Sequence, residues 1–352
     1  MAATADRPGY AALVRGAELA LEDVNAERRA GGRSPLTLLQ PGATIRSAVE
    51  VASMWRDRDD VVGVLGHPES GATLETIPLY ADVERGGARA LTVVSPTATS
   101  PALAGRSRWL FRLAPSDADA AQALARHLVD SEGIRRAAVI YRNDSYGRDW
   151  TQAFRTAYAK TGGTLVLREP YLEGVVEWDA FAALLAARAP EVVLFPGDAD
   201  AATRLLRALR AAGARTRFIG GDGTDGLLVT GEFPGVQVMT FVGADSTRGP
   251  AARGFFVRYR QKYGTDPDAF AIAGHDAALV LARAVAAVDA TTDGEDPATR
   301  RRAVRDWIAA LGTRRAPLEG AAGRIAFGPE QAIADRPMRL RTVTARPTPV
   351  AP

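Results

Sequence analysis

Residues 91–103 read LTVVSPTATSPAL: Leu91 to Val94 form an apolar run that passes directly into Ser95, Thr97, Thr99 and Ser100, with Pro96 and Pro101 among them. Hydroxyl side chains satisfy backbone groups locally and proline presets φ, so one reading is ordinary turn chemistry. The other is that these hydroxyls and the freed backbone groups are held still to grip a ligand. Upstream, VVGVLGHPESGATLETIPLY (61–80) repeats the pattern: a strand ends at Gly66, and His67-Pro68-Glu69-Ser70 leads into a helix from about Gly71. The free N–H groups of such a helix start, with the Ser70 hydroxyl, suit a carboxylate or phosphate. The competing reading makes Ser70 an N-cap. In open parallel sheets ligands bind outside the carboxyl ends of the strands. Two successive strand ends of this kind would set Thr97 and Thr99 beside Ser70.

Outward from these two segments, short apolar runs alternate with amphipathic stretches along most of the chain. Strands are expected at 36–39, 61–65, 90–94, 137–141, 164–167, 192–195 and 217–219. Helices are expected where Leu13, Ala17, Ala20, Leu21 and Val24 share one face, from about Ala118, and over 201–212. Apolar strands separated by helices indicate α/β architecture with parallel sheets covered on both faces. A chain of 352 residues exceeds one typical core. The pattern breaks at 113–117, 243–250 and 317–323, where small, polar or proline residues gather. Three breaks suit a chain that crosses three times between two lobes, 1–115 with 245–318 and 116–244 with 319–352.

Composition narrows the function classes. The 47% hydrophobic and 24% charged residues are ordinary for a globular chain, and the formal charge is +3. The basic residues, almost all Arg, are scattered among acids without the stripe that nucleic-acid binding needs. Lys160 and Lys262 are the only lysines, an Arg bias that reads as genomic base composition. With no cysteine there are no disulfides, thiolate metal sites or Cys nucleophiles. No apolar run approaches the length that spans a bilayer, and MAATADRPGY contains no secretory signal, although a removed signal would leave the same start.

Enzyme signatures are weak. His67, His127 and His275 are the only histidines and show no metal spacing. His127 reads as solvated and His275 as packed on a helix. Ser70 with His67 lacks the separation of a triad. GDGTDG (221–226) matches a dinucleotide fingerprint after an expected strand, but Gly231, Pro234 and Gly235 soon stop any following helix. Its more informative residue is Asp222, a carboxylate at a strand end.

The stretches GAELALEDVNA, VVGVLGHPESGAT, VVSPTATSPAL, WLFRLAPSDADAAQALARHLV, AAVIYRNDSYGRDW, APEVVLFPGDADAATRLLRALRAAGARTRFIGGDGTDG and PDAFAIAGHDAALVLARAV resemble, in order and spacing, the type I periplasmic solute-binding proteins of the leucine/isoleucine/valine-binding branch. The resemblance runs from Gly16 onward. It implies two Rossmann-like lobes with parallel-sheet cores, joined by three crossovers and closing on a ligand in the cleft. It gives Ser70 the ligand's α-carboxylate, Thr97 a backbone carbonyl for the α-ammonium, and Thr99 a hydroxyl and an N–H. It makes Asp117 an acid at the first crossover, Tyr146 an aromatic closing from the second lobe, and Asp222 the counter-charge to the ammonium. His67 and Asp198 are counted with these ligand-facing residues. Two departures stand out. Asp198-Ala199-Asp200 replaces an aromatic position and points to a polar or cationic ligand, and only Met1 to Gly9 precede the first helix, where the family has an internal strand.

The resemblance therefore implies a non-enzymatic binding protein, without cofactor or metal, that delivers an amino-acid-like molecule to a membrane ABC permease. A monomer with no nucleic-acid partner is expected. It would work outside the cytoplasm, as a periplasmic or lipoprotein component, if a signal has been removed; without one it would stay in the cytoplasm. The alternatives are a sensor or regulatory domain of the same fold, a binder of an aromatic or keto acid lacking the ammonium, and a nucleotide-dependent enzyme using GDGTDG.

Overall fold

The computed structural model describes residues 2–3, 10–41, 47–174, 176–242, 249–289, 292 and 294–345. The chain divides into two compact units, Met1–Pro115 with Val242–Arg336, and Ser116–Phe241 with Pro337–Pro352, so it passes between them three times.

The first pass lays down β1 (Ala2–Ala3), α1 (Ala11–Ala30), α2 (Ala48–Arg56), β2 (Gly63–Leu65), α3 (Ser70–Tyr80), β3 (Thr92–Ser95) and β4 (Leu110–Arg112). The strands form one parallel sheet in the order β1-β2-β3-β4. Every residue of β2, β3 and β4 is buried, which is why these strands read as continuous apolar runs rather than alternating ones. The slot before the first helix is filled by two residues, Ala2 and Ala3, paired with Val64 and Leu65 at the sheet edge. The strand expected at 36–39 does not form: only Leu39 makes an isolated bridge. The reason is Asn25 on α1. Its amide donates to the Leu36 carbonyl (2.9 Å) and accepts the Leu36 N–H (2.7 Å), so the ladder groups of Leu36 are satisfied by a side chain.

The second pass builds α4 (Asp117–Arg126), β5 (Arg136–Arg142), α5 (Ser145–Lys160), β6 (Thr164–Tyr171), α6 (Trp178–Arg188), β7 (Val192–Phe195), α7 (Ala199–Ala211), β8 (Arg217–Gly220), α8 (Gly226–Thr230) and β9 (Gln237–Thr240). The third returns through α9 (Pro250–Tyr263), α10 (Ala269–Asp289), α11 (Pro297–Ala309), β10 (Leu318–Gly320) and β11 (Gly323–Ile325). Finally β12 (Arg339–Thr342) adds antiparallel to β9, completing a sheet of order β12-β9-β8-β7-β5-β6 whose other pairs are parallel.

The last crossover falls after Arg336, not at the expected 318. The break at 317–323 is instead the turn of the β10–β11 hairpin, with Gly323 at φ +100°. Buried Asp276 on α10 holds that turn in the first unit by accepting the N–H groups of Ala321 (2.6 Å) and Ala322 (3.1 Å). Likewise the second change of unit comes at Phe241/Val242 rather than 244/245.

Helix α10 corrects a second expectation. It is long and apolar enough to cross a membrane, with mean hydropathy 1.5, yet it is largely buried inside the protein. It is the core helix of the first unit, packed on α1 among Leu13, Ala17, Ala20 and Val24. The two helices approach where glycine faces backbone: a Cβ on Gly16 would lie 1.8 Å from the Ala271 carbonyl oxygen, and one on Gly274 would lie 2.1 Å from that of Leu13. Because backbone cannot swing aside like a side chain, Gly274→Ala should cost at least about 1–3 kcal/mol by forcing the helices apart. Gly254→Ala, at an exposed position of α9 with nothing near its Cβ, should instead gain about 0.5–1 kcal/mol from helix propensity. Urea unfolding of both variants checks the contrast; equal effects would contradict this packing.

Candidate functional site

In the first unit the carboxyl ends of β2 and β3 are laced together by hydroxyls. Glu69, not Ser70, occupies the N-cap of α3. Ser70 is the first helical residue, and its Oγ accepts the N–H of Ser100 at 3.2 Å. Ser95 Oγ donates to the His67 carbonyl (2.7 Å) and accepts from the Ala98 N–H (3.3 Å). Thr97 Oγ1 donates to the Pro68 carbonyl (2.8 Å), a bond that does not involve the Thr97 carbonyl. Thr99 is fully buried in the same loop. The two segments that open the sequence analysis thus form one rigid edge. Each hydroxyl bond offsets part of the cost of burying backbone polar groups where the ladder stops.

His67 differs from its expected place. Its ring is buried with Nε2 3.2 Å from the Tyr80 hydroxyl, and burial pushes its pKa down to about 3, so it is neutral. It contributes its carbonyl to the hydroxyl network while its imidazole packs in the core. His275 is packed against Phe255 as expected, whereas His127 lies 2.9 Å from Glu132.

In the second unit three chemistry-bearing residues come from three strand-to-helix junctions. Ser116 caps α4 and leaves Asp117 buried at its first position. Asp144 caps α5 through the Gly147 N–H (2.8 Å), which sets Tyr146 in the first turn. The Tyr146 hydroxyl donates to Asp222 Oδ1 at 2.7 Å. Asp222 opens a short 3-10 turn, Asp222–Thr224, after β8. Burial pushes the Asp222 carboxyl up to about 6 against the pull of the Tyr146 bond. Tyr146 is pushed well above the usual phenol value by burial and by the charges of Asp222 and Asp117.

The glycines of GDGTDG are explained by this packing. A Cβ on Gly221 would lie 2.3 Å from the Tyr146 hydroxyl oxygen, and one on Gly223 would lie 2.4 Å from the Gly197 carbonyl oxygen. The following helix, α8, has five residues. The motif is a close-packed turn around a phenol, and a phosphate cradle is not needed to account for it. Asp198, expected to face the ligand, caps α7: Oδ1 accepts the Ala201 N–H (2.8 Å) and Oδ2 accepts the Tyr171 hydroxyl (3.0 Å). Both Asp198 oxygens are thus engaged within the second unit. An open groove of about 660 Å³ between α6 and α7, lined in part by Trp178, Arg204 and Arg207, contains none of these site residues.

Sequence reasoning missed Arg112. It is buried on β4, and its Nη1 donates to the Ser100 carbonyl at 3.2 Å, steadying the residue whose N–H meets Ser70. The available signal was a charge inside WLFRLAP, a run that otherwise reads as buried on both faces.

A family model described as a periplasmic binding protein matches residues 6–347. The chain belongs to the periplasmic binding protein family. This binding protein is 29% identical over 278 residues to an amino acid binding protein of Pseudomonas aeruginosa, covering 77% of this chain and 72% of that one. It is 26% identical over 285 residues to a Leu/Ile/Val-binding protein homologue of Brucella abortus, covering 79% and 74%. Its fold matches an ABC transporter substrate-binding protein from Desulfitobacterium hafniense with TM-score 0.73 at 26% identity, over 97% of this chain and 96% of that one. The fold is the two-unit type I architecture, and the family is one of solute-binding proteins rather than enzymes.

Because the folded-state pKa of Asp222 lies above the ordinary carboxylate value, its contribution to stability is complete below about pH 4 and is lost as pH rises through about 6. Asp222→Asn keeps the acceptor for Tyr146 and removes the ionisation. The melting-temperature difference between the variant and the ligand-free wild type should therefore shift in the variant's favour between pH 4 and 6 and stay constant above. A difference independent of pH would contradict the burial of this carboxyl.

Proposed function

We propose that this protein is the extracytoplasmic solute-binding component of an ABC transporter and that its ligand is an amino acid carrying both an α-carboxylate and an α-ammonium. The observation that carries the reading is Asp222, a carboxylate at the end of β8 held by a phenol and partly withdrawn from water. Such a group gains most from a cationic partner, which restores the favourable environment that burial removed. On this reading the hydroxyls and N–H groups around Ser70 and Thr99 take the carboxylate, and the Thr97 carbonyl joins Asp222 on the ammonium. With Asp198 engaged as a helix cap, a neutral side chain is the better assignment. The relatives, an amino acid binding protein and a Leu/Ile/Val-binding protein homologue, support that ligand class.

A thermal-shift screen of amino acids, amines and aromatic or keto acids, followed by calorimetry, tests the proposal. A charge-assisted hydrogen bond is worth about 1.5–3 kcal/mol, so Asp222→Asn should weaken binding of the hit by roughly ten- to a hundred-fold. Thr99→Val should weaken it too, by removing a hydroxyl while keeping shape. A screen won by acids without an ammonium, unaffected by Asp222→Asn, would overturn the assignment. For the transport reading, hinge closure on binding should lower the radius of gyration measured by small-angle scattering. An unchanged radius at saturation would count against it.

A further inference from the structure

We propose that Tyr146 is a positioning residue for Asp222: its hydroxyl, over and above its ring, holds the carboxylate ionised and so sets the pH at which the site begins to take ammonium ligands. The inference rests on the reading of Asp222 as the ammonium partner. Three observations within the second unit carry it. The hydroxyl sits 2.7 Å from Asp222 Oδ1, a short bond to a charged acceptor. The chain beside it is cut back to let the phenol in, because any Cβ at Gly221 would lie 2.3 Å from that oxygen. An aromatic needed only for stacking would not require its oxygen to be accommodated in this way.

The third observation is the charge of the surroundings. Asp117 at the start of α4 bears on Tyr146 together with Asp222, and Asp225, three residues beyond Asp222, accepts the Thr240 hydroxyl of β9 with its Oδ2. Arg142 at the end of β5 is taken by Asp144, and Asp198 by the start of α7 and Tyr171. The acids among these groups do not favour a further negative charge at Asp222. Burial also raises the Asp222 pKa, and the Tyr146 bond is the side-chain contact that lowers it. Below the titration midpoint the carboxyl carries a proton. Ammonium arrival then requires that this proton leave for solvent, so binding is proton-coupled in that range and uncoupled above it.

The direct test is a carbon-13 carboxyl titration of Asp222 in the ligand-free protein, assigned with Asp222→Asn, in wild type and Tyr146→Phe. Loss of the hydroxyl should raise the midpoint by about one pH unit or more, since one unit corresponds to about 1.4 kcal/mol. Gly221→Ala, which keeps the phenol but pushes its oxygen away, should raise it in the same direction and guards against a folding defect in either variant. Calorimetry with L-leucine in two buffers of different ionisation enthalpy should then show proton release persisting to higher pH in Tyr146→Phe. A Tyr146→Phe midpoint equal to wild type overturns the proposal. If no variant, nor wild type, binds L-leucine at any pH, the ligand reading of Asp222 fails separately, and the titration alone decides the role of the hydroxyl.

Discussion

The bond from the Tyr146 hydroxyl to Asp222 is the contact around which the functional edge of the second unit is organised. It joins the junction after β5 to the junction after β8, with β7 between them in the sheet. Around it the backbone has no freedom to carry side chains, which accounts for glycine at both 221 and 223. A carboxylate kept half in and half out of water is costly to the protein, and on the proposed reading a cationic ligand would relieve that cost.

The first unit solves a complementary problem with neutral groups. Parallel strands end with unpaired backbone polar atoms, and here Ser70, Thr73, Ser95, Thr97 and Arg112 bind carbonyls or N–H groups of the adjoining loops. The result is a fixed array in which hydroxyls and a helix start converge. The first unit thus offers donors that suit an anion, whereas the second offers a carboxylate held by a phenol. Neither requires a cofactor to be explained.

How far the sequence could be read follows from which forces are local. Strands 192–195 and 217–219 and the face of α1 were legible because burial imposes their periodicity. Ser70 beside the loop after β3 was legible from two successive strand ends, whereas Tyr146 and Asp222 were linked only through family resemblance, since residues 76 apart share no local signal. The failures are tertiary substitutions of one partner for another. Asn25 takes the ladder bonds of Leu36, and Asp276 keeps the 317–323 turn in the first unit. Each is a polar side chain satisfying backbone at a distance, which periodicity cannot detect. Arg112 was passed over for the converse reason: a lone charge in an apolar run was averaged into the strand.

The claim at the centre of this account is that the protein holds a molecule with both a carboxylate and an ammonium group. The most direct measurement is mass spectrometry of the small molecules released on denaturing protein purified without any added ligand. The account predicts release of an amino acid in stoichiometric proportion to wild-type protein and its depletion from Asp222→Asn. Stoichiometric release of an acid without an amino group, retained equally by Asp222→Asn, would contradict it.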